Sequence, residues 1–222
     1  PPASVPVRWE IAEDEAMRRV VRRGTATAAP DWAHSVHVEV RGLAPGRWYW
    51  YRFAARGEAS PIGRTRTAPA AAAAPNALRF AAVSCQDFQN GYYSAYRHLA
   101  RENLDFVLHL GDYIYEYAGR DGRPRKHIGG ETVTLADYRN RYAQYRTDPD
   151  LQAAHAAFPW LAVWDDHEVE NDYAGGISEK RTPRAEFLRR RAAAYRAYFE
   201  HMPLSPSMAP RGPNLALYRR RG

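Results

Sequence analysis

The chain has 222 residues, a formal net charge of +7 and a single cysteine, Cys85. One cysteine excludes an internal disulfide, and no apolar run approaches the length that crosses a membrane. The basic residues, nearly all of them arginines, are spread along the chain, which is compatible with anionic substrates such as phosphates but provides no concentrated patch for nucleic acid.

Residues 1–68 are predicted to form a β domain. Short runs rich in β-branched and aromatic residues predict strands at 5–11, 18–23, 36–40, 47–53 and 62–67. Strands at this spacing are typical of a β-sandwich. The segment Gly-Leu-Ala-Pro-Gly at 42–46, followed by an aromatic strand, resembles fibronectin type III-like domains. His34 and His37 are interpreted as surface or edge residues without a metal role.

An Ala- and Pro-rich linker is predicted at 69–77, and the pattern then changes to the alternating strands and helices of an α/β domain over 78–222. The predicted strands are 78–84, 106–110 and 160–164, and the predicted helices are 91–102, 134–146, 149–157 and 182–202. Thr134 and Asp137 form a capping box at the start of the second helix. The apolar stripes of the first two helices, assigned to the core, are Tyr92, Tyr96 and Leu99, and then Leu135, Tyr138, Tyr142 and Tyr145. The run at 189–191, three arginines, is interpreted as a solvated helix face.

Reactive side chains follow all three predicted strands of the α/β part. Cys85 follows the first strand, Asp112 and Tyr115 follow the second, and the acidic segment 165–168, with His167, follows the third. In sheets of this class ligands bind at the carboxyl ends of the strands. Carboxylates grouped this closely repel one another unless a cation lies among them. The pattern therefore predicts a two-metal centre, whose ions typically lie about 3.5–4 Å apart.

Each of these features also has a simpler interpretation. A cysteine after a strand is often a buried small hydrophobic residue, Gly-Asp at 111–112 is a common turn, and the segment 165–168 would serve as a solvated acidic turn. The tyrosines at 113, 115 and 117 would serve as surface or core aromatic residues, and His109 is interpreted as a core histidine with satisfied hydrogen bonds. The coincidence of three reactive strand ends favours the metal centre.

Three segments carry a resemblance to a known family. They are Ser-Cys-Gln at 84–86, Gly-Asp-Tyr-Ile-Tyr-Glu at 111–116 and Trp-Asp-Asp-His-Glu-Val-Glu-Asn-Asp-Tyr at 164–173. They resemble the motifs of the PhoD family of alkaline phosphatases, which are calcineurin-like metallophosphoesterases, and residues 1–67 resemble that family's small N-terminal β domain. The resemblance implies an Fe(III) and Ca(II) centre that hydrolyses phosphate monoesters by in-line attack of a metal-bound hydroxide. It also implies a secreted protein, located in the cell wall or the periplasm.

The resemblance further implies roles for individual residues. Asp112 would bridge the two metals and act in catalysis, while Cys85 and Tyr115 would bind the iron. Asp166 would bind the second metal, and His167 would face the substrate phosphate or the leaving group as a catalytic residue. A further metal ligand is Asn171, and the candidates to contact substrate or to support the ligands are Asp165, Glu168 and Asp172.

Other functions stay open at this point. The same centre would suit a phosphodiesterase or a phospholipase D-like enzyme. A non-catalytic secreted binding module joined to a degenerate α/β domain, and a phosphate- or nucleic-acid-binding protein that needs no metal, are alternatives of other classes. The expected partners are phosphate-ester small molecules or phosphodiesters, with no nucleic acid recognition, no membrane span and no obligate protein partner. Because the general family completes its site with C-terminal histidine and acidic motifs, we expect a fragment that carries the N-terminal half of the catalytic domain.

Overall fold

The computed structural model describes residues 3–74 and 76–217. Its N-terminal part is an antiparallel sheet built from β1 (Val5–Ala12), β2 (Val20–Ala28), β3 (Trp48–Ala55), β4 (Glu58–Ala59) and β5 (Gly63–Arg66). The strands lie in the order β2-β1-β3-β4, and β5 also pairs with β3. The described residues of this part form one sheet, so the predicted sandwich is not confirmed.

The predicted strand at 36–40 is wrong, because this segment packs against the end of a distant helix instead of joining the sheet. The ring of His37 stacks on Phe199, with 4.2 Å between the ring centroids. Nδ1 of His37 lies 2.8 Å from the carbonyl oxygen of Leu204. The three valines of this segment are partly buried, and His37 is a contact between the two parts of the chain rather than a surface or edge residue.

The second part is a parallel three-stranded sheet with helices packed on one face. The strands are β6 (Phe80–Val83), β7 (Phe106–His109) and β8 (Trp160–Ala162), in the order β6-β7-β8. The helices are α1 (Ser94–Leu99), α2 (Leu135–Tyr145), α3 (Pro149–Ala157) and α4 (Arg184–His201). This arrangement confirms the predicted alternation of strands and helices. None of the helices in the described ranges has the length and apolar character needed to cross a bilayer.

Local sequence signals set the helix starts. Thr134 Oγ1 accepts a hydrogen bond from the amide of Asp137 at 3.2 Å, and the Asp137 carboxylate accepts one from the amide of Thr134 at 2.8 Å. This confirms the predicted capping box.

The apolar stripe of α2 is confirmed as core, since its three tyrosines are completely buried. The stripe of α1 is wrong at Tyr92, which is 69% exposed because the helix begins only at Ser94.

The arginine run in α4 is only partly solvated. Arg190 is buried, and its guanidinium donates to the buried Glu170 carboxylate at 2.5 Å and to Glu131 at 2.9 Å. Helical periodicity places Arg190 on the same face as Phe187 and Ala194, which are buried. The prediction of a solvated face is therefore wrong for Arg190, whose burial is offset by two carboxylates.

The two faces of the parallel sheet differ because side chains alternate along each strand. Residues on the face under the helices, Val107, His109 and Trp160, are buried. On the opposite face the large apolar side chains that are between 44% and 53% exposed are Phe80, Leu110, Leu161 and Val163. The parallel sheet thus has one packed face and one apolar, solvent-facing side.

Burial makes His109 a source of acid sensitivity. The prediction of a satisfied histidine is wrong, since its Nε2 is buried with no hydrogen-bond partner among the described residues. Burial, aided by the nearby charge of Arg146, lowers the pKa of His109 from 6.5 to about 3. The neutral ring therefore contributes stability that is fully present above pH 6.5 and is lost as the pH falls toward 3, since the unfolded state binds the extra proton.

Between pH 6.5 and pH 5 we expect His109 alone to reduce the free energy of unfolding by about 2 kcal/mol. Urea unfolding of the wild-type chain and of His109→Phe, which has no ring nitrogen to titrate, measures this difference. The variant should show the shallower pH dependence. Identical pH dependence in the two chains would contradict a neutral, buried His109.

Candidate metal centre

The loops that follow β6, β7 and β8 meet at the carboxyl edge of the parallel sheet. The amide of Cys85 donates to the carbonyl oxygen of Gly111 at 3.2 Å, and the amide of Gln86 donates to that of Asp112 at 3.1 Å. Cys85 and Asp112 both adopt left-handed backbone conformations, with φ of 57° and 55°. Such values are uncommon for residues with a side chain and cluster at functional sites.

Glu168 holds the loops after β7 and β8 together from inside the protein. Its completely buried carboxylate accepts hydrogen bonds from the amides of Asp112 at 3.1 Å, Tyr113 at 2.5 Å and Asp165 at 2.8 Å. Burial raises the pKa of Glu168 to about 7, although the amide donors oppose the shift. Two roles were expected for Glu168, contact with substrate and support of the ligands, and its hydrogen bonds are those of a residue that supports the ligand loops.

Asp112, Asp166 and His167 form the centre of the site. Each offers an oxygen or nitrogen atom, and these atoms all lie within 4.8 Å of one another. Asp112 Oδ1 is buried with no hydrogen-bond partner in the described part of the chain. Burial raises the pKa of the Asp112 carboxyl, while the charge of His167 and the hydrogen bond from Tyr115 oppose the shift. A cation would satisfy the unpaired oxygen and offset the buried charge.

The two side chains predicted to bind iron lie against Asp112. The hydroxyl of Tyr115 donates to Asp112 Oδ2 at 3.0 Å, and Cys85 precedes Gln86, whose amide donates to the carbonyl oxygen of Asp112 at 3.1 Å. Burial, together with the Asp112 charge, raises the pKa of Tyr115 far above 10. A phenol in this position ionises only if a strongly charged cation replaces its proton.

His167 is oriented by Glu116, a residue that the sequence analysis did not single out. His167 Nδ1 lies 2.8 Å from Glu116 Oε2, and Glu116 is completely buried. The ring stacks on Tyr115 with centroids 4.1 Å apart and meets the edge of Tyr117 at 5.3 Å. Burial lowers the pKa of His167, but the Glu116 hydrogen bond and the nearby carboxylates outweigh it, so the net shift is upward.

The signal for Glu116 in the sequence was its position at the end of the segment 111–116, whose other members are glycine, tyrosine, isoleucine and one aspartate. A carboxylate that follows buried residues at 113 and 114 requires a hydrogen-bond partner. That partner lies 51 residues away along the chain. Sequence spacing alone therefore did not reveal the pair.

The remaining predicted residues surround this centre. Asn171 donates through Nδ2 to Asp172 at 3.1 Å and to Glu179 at 3.0 Å, while its backbone amide donates to Glu116 at 3.0 Å. The amide of Asp172 donates to Asp166 Oδ2 at 2.6 Å. Asp165 and Asp172 have exposed side chains at the rim. The predicted residues thus all lie in the loops that follow β6, β7 and β8, but among the described residues only Asp112, Asp166 and His167 form a group of possible ligands within 4.8 Å of one another.

Both parts of the chain match a known protein family. Residues 80–222 match the family described as PhoD-like phosphatase, and residues 2–69 match PhoD-like phosphatase, N-terminal domain. The chain is 55% identical, over 224 aligned residues, to alkaline phosphatase D of Bacillus subtilis (strain 168), and the alignment covers 99% of this chain and 38% of that protein. A solved structure titled "Structure of PhoD" superimposes with a TM-score of 0.95 at 55% identity, covering 99% of this chain and 43% of the other.

The chain therefore spans less than half the length of the relatives that it matches. The family match nevertheless extends over both the antiparallel sheet and the helix-covered sheet. The resemblance inferred from the three strand-end motifs is confirmed, and the chain belongs to the PhoD-like phosphatase family.

Proposed function

We propose that this chain supplies metal-binding residues of a phosphatase that hydrolyses phosphate esters, and that the metals are Fe(III) and Ca(II). The observation that carries the proposal is Asp112 Oδ1, which is buried without a partner in the described ranges and lies in one cluster with Asp166 and His167. An unpaired, buried carboxylate oxygen is costly. Phosphate esters are the proposed substrates because the relative with 55% identity is an alkaline phosphatase.

The donor types divide between the two proposed metals. The Cys85 thiol and the Tyr115 phenol would bind the iron as anions. The carboxylate of Asp166 and the amide oxygen of Asn171 suit calcium, which prefers oxygen ligands, and the two oxygens of Asp112 would bridge. When bound, such cations lower the pKa of water and neutralise charge on a phosphate.

The residues of the site can orient a phosphate substrate only when cations offset the negative charge of the site's carboxyl groups. Asp112, Asp165 and Asp166 present three carboxyl groups at the site, and a phosphate dianion would be repelled by them. His167 is held through Nδ1 by Glu116, which leaves Nε2 to donate to a phosphate or leaving-group oxygen. Phosphate binding should therefore depend on metal, unlike in a protein that binds phosphate without a cation.

Elemental analysis of the purified chain, followed by calorimetric titration with inorganic phosphate, tests the proposal. We expect iron and calcium in near-stoichiometric amounts, and phosphate binding that disappears when a chelator removes them. A chain that holds neither metal, or that binds phosphate equally well with chelator present, would contradict the proposed function.

Cys85→Ser should lose iron in preference to calcium. Thiols ionise readily beside a cation and bind it as thiolates, whereas a serine hydroxyl does not ionise at neutral pH. We expect the affinity for iron to fall roughly tenfold or more, the lower range for a perturbed metal site, with calcium content unchanged. Ser84→Ala, at the exposed neighbouring residue, is the control. Unchanged iron in Cys85→Ser would remove Cys85 from the ligand set.

Monoesters are the proposed substrates ahead of phosphodiesters, because a dianionic monoester gains more from two cations than a monoanionic diester. Turnover of matched monoester and diester substrates decides between them, and faster turnover of the diester would reverse the order.

We also propose secretion, to the cell wall or the periplasm, on the basis of the family resemblance. Cell fractionation with an antibody to the chain tests that location.

A further inference from the structure

The hydroxyl of Tyr145 joins the two loops that carry the proposed iron ligands. Tyr145 is the last residue of α2 and is completely buried. Its oxygen accepts hydrogen bonds from the amide of Phe88 at 3.2 Å and from the amide of Tyr115 at 3.1 Å. Phe88 lies three positions after Cys85 in the segment that follows β6, and Tyr115 lies in the loop that follows β7. One side chain therefore contacts the backbone of both loops.

His127 fixes the direction in which the Tyr145 hydroxyl points. His127 Nδ1 lies 2.8 Å from the carbonyl oxygen of Tyr117, which can only accept, so Nδ1 carries the hydrogen of the ring. His127 Nε2, which lies 3.0 Å from the Tyr145 hydroxyl, is then free to accept the hydroxyl hydrogen. Because this hydrogen is directed at His127, the Tyr145 oxygen is left to accept from the two amides.

Arg141 keeps this arrangement neutral and in place. Its buried guanidinium donates to the carbonyl oxygen of Tyr117 at 2.8 Å and also to that of Tyr115. Burial, aided by the charge of Arg141, lowers the pKa of His127 from 6.5 to about 4, so the ring is neutral near pH 7. The backbone of Tyr115 is thus held at its amide by Tyr145 and at its carbonyl by Arg141.

Tyr145 and Glu168 hold different pairs of loops. The Glu168 carboxylate accepts from amides in the loops after β7 and β8, whereas Tyr145 connects the loops after β6 and β7. Backbone hydrogen bonds at residues 85–86 join the same two loops close to the strands, and Tyr145 acts farther along, at the residue that supplies the phenol. Loss of the Tyr145 hydroxyl should therefore disturb the iron side of the centre and leave the side of Asp166 in place.

We propose that Tyr145 is a positioning residue of the iron site: its hydroxyl sets the separation of the two loops and so brings the thiol of Cys85 and the phenol of Tyr115 to one cation. The amides of Phe88 and Tyr115 have no other hydrogen-bond partner among the described residues, so the backbone must move to satisfy them when the hydroxyl is removed. Loss of a group that orients metal ligands typically weakens the metal roughly 10–100-fold. The inference rests on the proposed function and adds to it a residue that touches neither metal.

Tyr145→Phe tests the proposal, and Tyr142→Phe is the matched control. Both tyrosines are completely buried on α2, and both substitutions keep the ring. The ring of Tyr145 packs on Phe88 with centroids 5.3 Å apart, a contact that phenylalanine retains. The hydroxyl of Tyr142 is buried with no hydrogen-bond partner in the described part of the chain, so its removal breaks no hydrogen bond.

The affinities for the two metals are measured separately on the full chain, Fe(III) by competition with nitrilotriacetate and calcium by calorimetric titration without iron. We expect Tyr145→Phe to bind iron about tenfold more weakly than the wild type and to bind calcium equally well. Tyr142→Phe should match the wild type for both metals. Near-ultraviolet circular dichroism shows whether each variant keeps its tertiary packing.

A spectroscopic readout separates positioning from a general loss of stability. A phenolate bound to Fe(III) transfers charge to the metal and absorbs visible light. At saturating iron this band should shift in Tyr145→Phe, because the phenol of Tyr115 is held differently relative to the metal, and it should stay unchanged in Tyr142→Phe. A variant that is merely less stable would show the wild-type band once iron saturates it.

Two substitutions of His127 test the same hydroxyl from its other side, and they decide the matter if Tyr145→Phe does not fold. His127→Gln places an amide oxygen near the position of Nε2, where it can accept the Tyr145 hydrogen. His127→Leu offers no acceptor, so the hydroxyl would turn its hydrogen toward one of the amides and lose that hydrogen bond. Iron affinity should fall about tenfold in His127→Leu and be retained in His127→Gln. Equal iron affinity in these two variants would overturn the proposal.

The outcomes distinguish failure of the proposed metal centre from failure of the positioning role. If the wild-type chain binds no iron, the proposed centre fails and the role of Tyr145 fails with it. If the wild type binds iron but Tyr145→Phe binds it equally well, loses iron and calcium alike, or keeps the wild-type band, only the positioning role is overturned. Selective loss of iron with a shifted band in Tyr145→Phe, and neither change in Tyr142→Phe, supports it.

Discussion

Replacing Asp112 by Asn should remove both cations from the chain and reduce phosphate-ester hydrolysis roughly 10³-fold, since metal ions supply several kcal/mol of charge stabilisation. Asp112 is the residue that would hold both proposed metals, and its Oδ1 has no partner among the described residues. An amide carries no charge to hold a cation. Elemental analysis and turnover of a monoester substrate measure the two effects.

Loss of function in Asp112→Asn should not come from unfolding. Asn tolerates the left-handed conformation at this position, where φ is 55°. Burial also raises the pKa of the Asp112 carboxyl, so the metal-free chain should be no less stable with a neutral amide there. Asp121→Asn, at a side chain that is 93% exposed, is the control and should keep both metals. Near-normal turnover in Asp112→Asn would contradict the bridging role.

Gly111→Ala should destabilise the chain by about 4 kcal/mol and distort the ligand loops. The backbone at Gly111 has φ of +105°, and a Cβ atom would lie 2.4 Å from Cβ of Asp165 and 2.6 Å from its amide nitrogen. The strained conformation and the overlap cost about 1–3 kcal/mol each. Because Asp165 begins the segment that carries Asp166 and His167, relief of the overlap would separate the β7 and β8 loops. Urea unfolding and metal content report the two consequences.

The matched control for Gly111→Ala is Gly122→Ala. Gly122 has a positive φ of 74° but nothing within 4 Å of its Cβ position. Only the conformational term applies there, so we expect a loss of about 1 kcal/mol and unchanged metal content. Equal destabilisation in the two variants would show that contact with Asp165 is not what requires glycine at position 111.

The grouping of the site could be predicted because it depends on a general property of parallel sheets. Cys85, Asp112 and Asp166 each follow a strand, and the carboxyl ends of neighbouring parallel strands share an edge. No distance or partner had to be known for that inference. The positions at which helices begin could be predicted equally well, since the caps at Thr134 and Asp148 are formed by residues within three positions along the chain.

Interactions between distant segments could not be read in the same way. The alternating valines at 36–40 look like a strand, yet the neighbour of that segment is Phe199 rather than another strand. Arg190 looks solvated in a run of arginines until Glu170 is placed beside it. In both positions the residues are buried or partly buried, but the side chain that contacts them belongs to a distant segment of the chain.

The sequence by itself determined the family and the order of strands and helices in the α/β part, and it predicted that side chains after the three strands gather at a candidate metal centre, because these depend on local pattern and on chain direction in a sheet. Tertiary structure alone decided how that set is held. Glu168 joins two loops through amides up to 56 positions away, and Glu116 orients His167 from 51 positions away. Hydrogen bonds at such separations depend on packing of the whole domain, which no local pattern encodes.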